Sequence, residues 1–264
     1  MSTQITTAFV EQYSSNIQML SQQKGSILRD KVRLESVTGK NAFFDQVGSV
    51  TASVRSTRHS DTPQSNTPHS RRRVSLVDYE FADLIDDLDK VRMLVDPTST
   101  YALAAAYAMG RAMDDAIITA ALGASDTGVA GGTSVALPSG QKITESGTAG
   151  LTIAKLRQAK EIIDLNSVDP SLPRHIIVSP KQITDLLGTT EVTSSDFNTV
   201  KALAQGDINT FLGFNFIVSN RLAIASNKRK CIAFVSDGIA LAVGKDSTAR
   251  IDERADKGYA TQVY

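Results

Sequence analysis

One stretch limits the possible architectures more than any other: DPTSTYALAAAYAMGRAMDDAIITAALG, from Asp96 to Gly123. Its pattern predicts a single long helix. Asp96 or Thr98 offers a short side-chain oxygen to the unpaired N–H groups of the first turn. Pro97 suits that turn, where no N–H is needed. Gly123 predicts the stop, because glycine enters the left-handed cap without strain. Nine of the residues from Ala102 to Ala121 are alanine, and Gly110 is the only glycine among them. At about 1.5 Å per residue the helix would run about 39 Å. A rod this long and apolar either spans a membrane or forms the spine of a soluble fold. Arg111, Asp114 and Asp115 stand near its middle, where a bilayer makes charge costly. The expectation is a half-buried spine and no membrane partner.

The rest of the chain must supply the surface that covers this spine. With 264 residues it is long enough for a large core and one to three domains. Lys plus Arg and Asp plus Glu number 28 each. A balanced charge argues against a dedicated nucleic-acid binder, which needs a basic excess, and it leaves self-association unopposed. The single cysteine, Cys231, sits in the apolar run CIAFV and reads as a core residue. The N-terminal sequence carries neither the basic nor the apolar region of a secretory signal.

Residues 1–36 read as an arm. Phe9, Val10, Tyr13, Ile17, Met19 and Leu20 recur at roughly helical spacing, Gly25 interrupts, and Ile27, Leu28, Val32 and Leu34 continue. So narrow an apolar stripe needs a partner surface. That surface is either its own domain or a neighbouring subunit.

Residues 44–80 read as a long hairpin. Val50, Ala52 and Val54 alternate with polar residues, and so do Val74 and Leu76. Between them RHSDTPQSNTPHS is polar, with Pro63 and Pro68, and has nothing to bury. A two-stranded ribbon without a core is unstable in water. It is either a solvated surface hairpin or a projecting ribbon that lies on something. Its arginines, Arg55, Arg58, Arg71, Arg72 and Arg73, favour acidic surface on another subunit. No aromatic residue interleaves them, so single-stranded nucleic acid is a poor fit.

FADLIDDLDKVRMLV, residues 81–95, reads as a short amphipathic helix with Asp83, Asp86, Asp87 and Asp89 on a solvated face. The loop and glycine of a calcium site are missing. Residues 124–150 hold six glycines and no period. They predict a connector with one weak hairpin around Val135 to Ile143. From Leu151 the texture becomes α/β. LTIAKLRQAKEIIDLNSV is an amphipathic helix with Thr152 as N-cap, and RHIIVSP is a strand stopped by Pro180. PKQITDLLG and FNTVKALAQG are helices closed by glycine. FLGFNFIVSN, KRKCIAFV and IALAVG are strand-like, and ARIDERADKGYATQVY gives one or two more strands. The sequence stops at Tyr264 inside a strand-like run, consistent with a strand that continues further.

No catalytic constellation emerges. His59, His69 and His175 fit no zinc spacing. Ser179 in VSPKQ is not a nucleophile elbow, no phosphate-binding glycine motif occurs, and no carboxylate pair stands out as an acid/base couple. The expectation is a non-enzyme with no cofactor and no metal.

The order of these elements resembles the major capsid proteins of tailed phages, whose fold is shared with encapsulins and the herpesvirus capsid floor. The resemblance covers the whole chain. It rests on the hairpin at Gly48–Tyr79, the spine from Asp96 to Gly123, HIIVSPKQITDLLG, and FLGFNFIVSN followed by IALAVGKDSTARIDE. It implies an α+β fold with an N-terminal arm at 1–36 and an extended loop at 44–80. A peripheral domain would combine 37–43, 81–123 and 240–264, and an axial domain would take 124–239. It further implies self-assembly into hexamers and pentamers that tile an icosahedral head around double-stranded DNA, contacted without sequence specificity. The implied partners are a separate scaffolding protein, a portal and a decoration protein. Assembly would occur in the host cytoplasm and the product would be a virion component. The same fold leaves an alternative, an encapsulin-type nanocompartment shell. Expected inter-subunit contacts are Arg55, Arg58, Arg71, Arg72, Arg73, Asp86, Asp87, Asp114 and Asp115. Some relatives crosslink through a lysine on the extended loop, but none occurs here between Lys40 and Lys90, so that chemistry is not expected.

Overall fold

The computed structural model describes residues 21–55, 57–59, 61–62, 64–86, 98–143, 150–187, 210–225 and 228–264. The protein is α+β. Among the described residues the helices are α1 (Thr98–Leu122), α2 (Ile153–Leu165) and α3 (Pro180–Leu187). The first strands are β1 (Arg33–Ser36), β2 (Asn41–Val47), β3 (His69–Ser75), β4 (Asp83–Ile85), β5 (Ala124–Thr127) and β6 (Thr133–Ala136). Then come β7 (Arg174–Val178), β8 (Thr210–Phe211), β9 (Phe214–Val218), β10 (Ile224–Ala225) and β11 (Lys228–Arg229). The chain closes with β12 (Ile232–Val235), β13 (Ala240–Val243), β14 (Ile251–Arg254) and β15 (Ala260–Val263). Two units divide these elements. One takes in the stretch ending at Ser26, Asp78–Met113 and Asp246–Tyr264, and the other Ile27–Val77 and Asp114–Lys245.

The long helix is present, and its residues from Asp114 onward belong to the second unit. Asp96 and Pro97 lie outside the described residues. Gly123 follows the helix but does not adopt the left-handed conformation expected of it. The chain enters β5 directly at Ala124, so the backbone extends at once instead of curling into a cap.

In the second unit the core lies on both faces of a mixed sheet ordered β12-β7-β9-β8. Every residue of β7 is buried, as in a strand covered on both sides, and its apolar residues Ile176, Ile177 and Val178 run without a break. Side chains alternate. Ile176 and Val178 join Leu151, Ile153, Leu156, Leu186, Phe211 and Phe214 beneath α2 and α3. Ile177 faces the other way and packs with Ile117 and Ile118 of α1, Leu28, Val32, Leu222, Ile232 and Phe234. Thr152 caps α2 as expected, accepting from Lys155 N at 3.4 Å. Before α3, the Ser179 N–H donates to Gln182 Oε1 at 2.8 Å, the reach-back half of a capping box, with Pro180 in first position. β1 pairs in parallel with β13, and β10 with β11 antiparallel.

A second sheet in this unit is ordered β2-β3-β5-β6. The hairpin exists, but its first strand is Asn41–Val47 and not the alternating 50–54 run. Val54 is 94% exposed: alternation without a partner strand has nothing to pack against. The glycine-rich region after α1 is not a plain connector. β5 and β6 form a hairpin that joins the ribbon through the pairing of Arg73 with Asp126, upstream of the hairpin expected near Val135 to Ile143.

In the first unit a three-stranded antiparallel sheet is ordered β14-β15-β4. The final region gives two strands, as expected. The amphipathic helix expected at 81–95 is replaced at its start by β4. Leu84 and Ile85 pair with the backbone of Gln262 and Thr261, so tertiary pairing overrides the local period. The remainder of that segment, the first part of the arm and FNTVKALAQG lie outside the described residues. The described end of the arm holds a 3-10 turn at Arg29–Lys31 and β1.

Candidate assembly surfaces

No residue of the ribbon sheet is fully buried. Every residue of β2, β3, β5 and β6 is exposed or intermediate. It nevertheless carries Phe43, Phe44, Val47, Val74 and Val135.

Register separates its two faces, because directly paired residues share a face. Phe43, Asp45, Arg71, Arg73 and Asp126 lie on one. There Arg71 grips Asp45 with two hydrogen bonds of 2.5 and 3.0 Å, and its guanidinium stands 5.7 Å from the Phe43 ring centroid. The same hydrogen bonds hold the Asp45 carboxyl below the usual range and the Arg71 guanidinium above it. Arg73 donates to Asn41 Oδ1 at 3.0 Å and to the Ala130 carbonyl. Ser134 donates to Asp126 at 2.8 Å. On this face Arg71 is neutralised by Asp45, whereas Arg73 meets only neutral oxygens and its buried Nε has no partner.

The opposite face holds Ala42, Phe44, Arg72, Val74 and Val135. Arg33 stands 6.0 Å from the Phe44 ring centroid and is paired with Glu35 at 3.2 Å. Arg72 is half-buried and makes no hydrogen bond or ion pair among the described residues. Of the other expected contact residues, Arg55 donates to Thr57 O at 3.2 Å. Arg58 and Asp86 are exposed, and Asp87 lies outside the described residues.

The spine carries a different surface. At its middle the chain's own residues cross it. In the first unit an added Cβ at Gly110 would lie 2.5 Å from Gly25 Cα and 2.6 Å from Ser26 N. Gly110 is therefore glycine because a backbone passes there. Gly25 takes φ +74° to make the passage. Arg111 donates to Gln22 Oε1 at 2.9 Å and to Gln23 O at 3.3 Å. In the second unit Asp114 accepts from the Ile27 and Leu28 N–H groups at 3.2 and 3.1 Å. Asp114 is 0% exposed, which corrects its assignment to an inter-subunit contact: its carboxylate satisfies backbone donors of its own chain. Asp115 takes a two-point ion pair with Arg221, at 2.7 Å for Nε to Oδ1.

The sheet of the first unit also has two faces. Ile85, Thr261 and Val263 are buried. Leu84, Gln262 and Asp252 form a row across the other face. Arg254 on that face is neutralised by Asp256 at 2.7 Å, whose carboxyl its hydrogen bond pulls down to about 2. Asp252 is exposed and pairs with no cation among the described residues.

The polar groups of the core are structural. His175 lies inside β7, with Nε2 3.2 Å from Ser236 Oγ and its ring centroid 5.5 Å from that of Phe234. Burial, then Lys31, pushes its pKa down. Arg174 is buried and pairs with Asp164 at 2.7 Å. Burial raises the Cys231 thiol to about 11, in keeping with its place against the core. Among the described residues no His, Cys, Asp and Glu group is arranged to hold a metal, and no helix is long and apolar enough to cross a membrane. A lone glycine in the helix marks Gly110 as a place where a backbone can cross, but that Gly25 is what crosses it, and that Arg221 pairs with Asp115, is not legible in the sequence, since both join residues far apart in it.

Comparison with known proteins points one way. The capsid structure of the cyanophage P-SCSP1u is similar over 100% of this chain and 89% of that one, at TM-score 0.72 and 19% identity. A structure from Mycobacterium phage Che8 matches over 97% and 90%, at TM-score 0.68 and 16% identity. The capsid of Ralstonia phage GP4 matches over 97% and 88%, at TM-score 0.68 and 12% identity. The TM-scores show a shared fold, and at these identities the fold alone. No curated protein sequence matches. The family model described as phage capsid protein matches residues 5–264, nearly the whole length, and the chain accordingly belongs to the phage capsid protein family, as a subunit of the virion shell.

Proposed function

We propose that this subunit assembles into hexamers and pentamers that tile an icosahedral head around double-stranded phage DNA. The observation that carries this is the ribbon sheet: four strands with aromatic and aliphatic side chains and no buried residue. Such a sheet is not stable alone, and a neighbouring subunit supplies the missing surface. Repeated head-to-tail contacts of this kind close into rings, and many weak contacts add up to a durable shell. In this reading the arm is 1–36, the extended loop 44–80, the peripheral domain 37–43, 81–123 and 240–264, and the axial domain 124–239. Arg55, Arg58, Arg71, Arg72, Arg73, Asp86, Asp87 and Asp115 border subunit contacts. A separate scaffolding protein, a portal and a decoration protein complete the particle, which forms in the host cytoplasm. Membership of the phage capsid family favours a genome-bearing head over a cargo nanocompartment.

The test is negative-stain imaging and sizing of the purified protein, alone and co-produced with its scaffold. Rings or shells are expected. A monomer or dimer under all conditions overturns the proposal. Particles filled with cargo protein instead of DNA, when recovered from infected cells, overturn the genome-bearing reading.

A further inference from the structure

The two sheets present complementary faces. On the ribbon, one face ties both of its arginines to oxygens of the same chain, Arg71 to the Asp45 carboxylate and Arg73 through its terminal nitrogens to Asn41 Oδ1 and the Ala130 carbonyl. The other keeps a single unmatched cation, Arg72, half-buried between Phe44 and Val74 on the same face. A half-buried guanidinium without a counter-ion is unfavourable unless a carboxylate reaches it. On the β14-β15-β4 sheet the situation is mirrored. Arg254 is matched by Asp256, whereas Asp252 stands unmatched beside Gln262 and Leu84, an exposed leucine.

Resting on the assembly reading above, we propose that Arg72 of one copy pairs with Asp252 of a second copy. The ribbon's Phe44 and Val74 face then lies on the second copy's Leu84 row. Arginine suits this role because its planar fork meets a carboxylate in two places. The cations beside Phe44 are Arg72 and Arg33, and Arg33 is already paired with Glu35; one unpaired cation does not suit DNA, which recruits several along its phosphates.

The experiment is a charge exchange in the full-length protein: Arg72→Glu, Asp252→Arg, and the two together. Shell yield is read by sizing and negative stain, with circular dichroism and melting of the unassembled subunit confirming the fold. Each single reversal sets like charges against one another and is expected to lower shell yield about tenfold or more. The double variant is expected to recover most of the wild-type yield. Two single variants that assemble like wild type overturn the pairing, and so does a double variant no better than the singles. Recovery of Arg72→Glu by Asp86→Arg instead moves the contact to another carboxylate and overturns Asp252 as the partner. In all these cases wild-type shells still form, whereas a wild-type protein that forms none overturns the assembly reading itself.

Discussion

Gly25 and Gly110 touch backbone to backbone: a Cβ at position 110 would meet Gly25 Cα at 2.5 Å. The contact fixes the arm's exit across the spine helix and makes a helical glycine necessary. Gly110→Ala is expected to destabilise the protein in spite of the roughly 1 kcal/mol that alanine gains over glycine in a helix. The clash is with backbone, which cannot swing aside, and overpacking of this kind costs about 1–3 kcal/mol. Gly110→Val should be worse. Urea unfolding of the two variants checks the order.

Asp114 holds the same arm one turn further along, through the Ile27 and Leu28 N–H groups. Asp114→Ala leaves these buried donors without an acceptor and is expected to cost roughly 3 kcal/mol. Asp114→Asn keeps one acceptor oxygen and should cost less. Hydrogen exchange at Ile27 and Leu28 should accelerate in both, most in the alanine variant.

Arg174 is buried while its partner Asp164 is half exposed. Removing the partner strands the buried charge. Asp164→Ala is therefore expected to cost about 3 kcal/mol, and Arg174→Met, which removes the charge itself, less. Denaturant midpoints of the two variants decide this.

His175 makes stability depend on pH. Burial and Lys31 lower its pKa in the folded state, so below about pH 6.5, its ordinary value, the unfolded chain binds more protons. Stability from this group is present in full above that value and is lost as the pH falls toward the folded pKa. His175→Gln should flatten the decline between pH 7 and pH 5 relative to wild type, measured by urea midpoints.

Cys231, with its thiol raised to about 11, should be inert to maleimide in the native protein at pH 8. It should label at once in urea. Native labelling at the unfolded rate contradicts its core placement.

Some of this was readable from residues and some was not. The spine, the Thr152 cap and the apolar run of β7 were legible because each is local: periodicity, one capping oxygen, three consecutive β-branched apolar residues. The ribbon was legible as a hairpin but shifted in register, because Val50 and Val54 alternate convincingly and only the pairing of Phe43 with Arg73 and Phe44 with Arg72 decides where a strand is. β4 was misread because DLI belongs to a helical period in sequence and to a sheet by virtue of residues 261–263. Charge singles out the arginines in the sequence but not which of them have partners within their own chain. Asp45 and Asn41, which hydrogen-bond Arg71 and Arg73, carry no signal of that role until the strands are aligned.

The ribbon's lack of any buried residue has a consequence for how such a subunit folds. A domain that completes its own core is finished when it leaves the ribosome. In the assembly proposed above, the covering of the ribbon's exposed face is deferred until a second molecule arrives to complete it. Folding of that segment is then concentration-dependent, like a bimolecular reaction. Each subunit added to a growing lattice completes its neighbour's tertiary structure as well as its own. Growth at an occupied edge is thereby favoured over new nucleation, and the unassembled protein carries a built-in delay against closing shells too early.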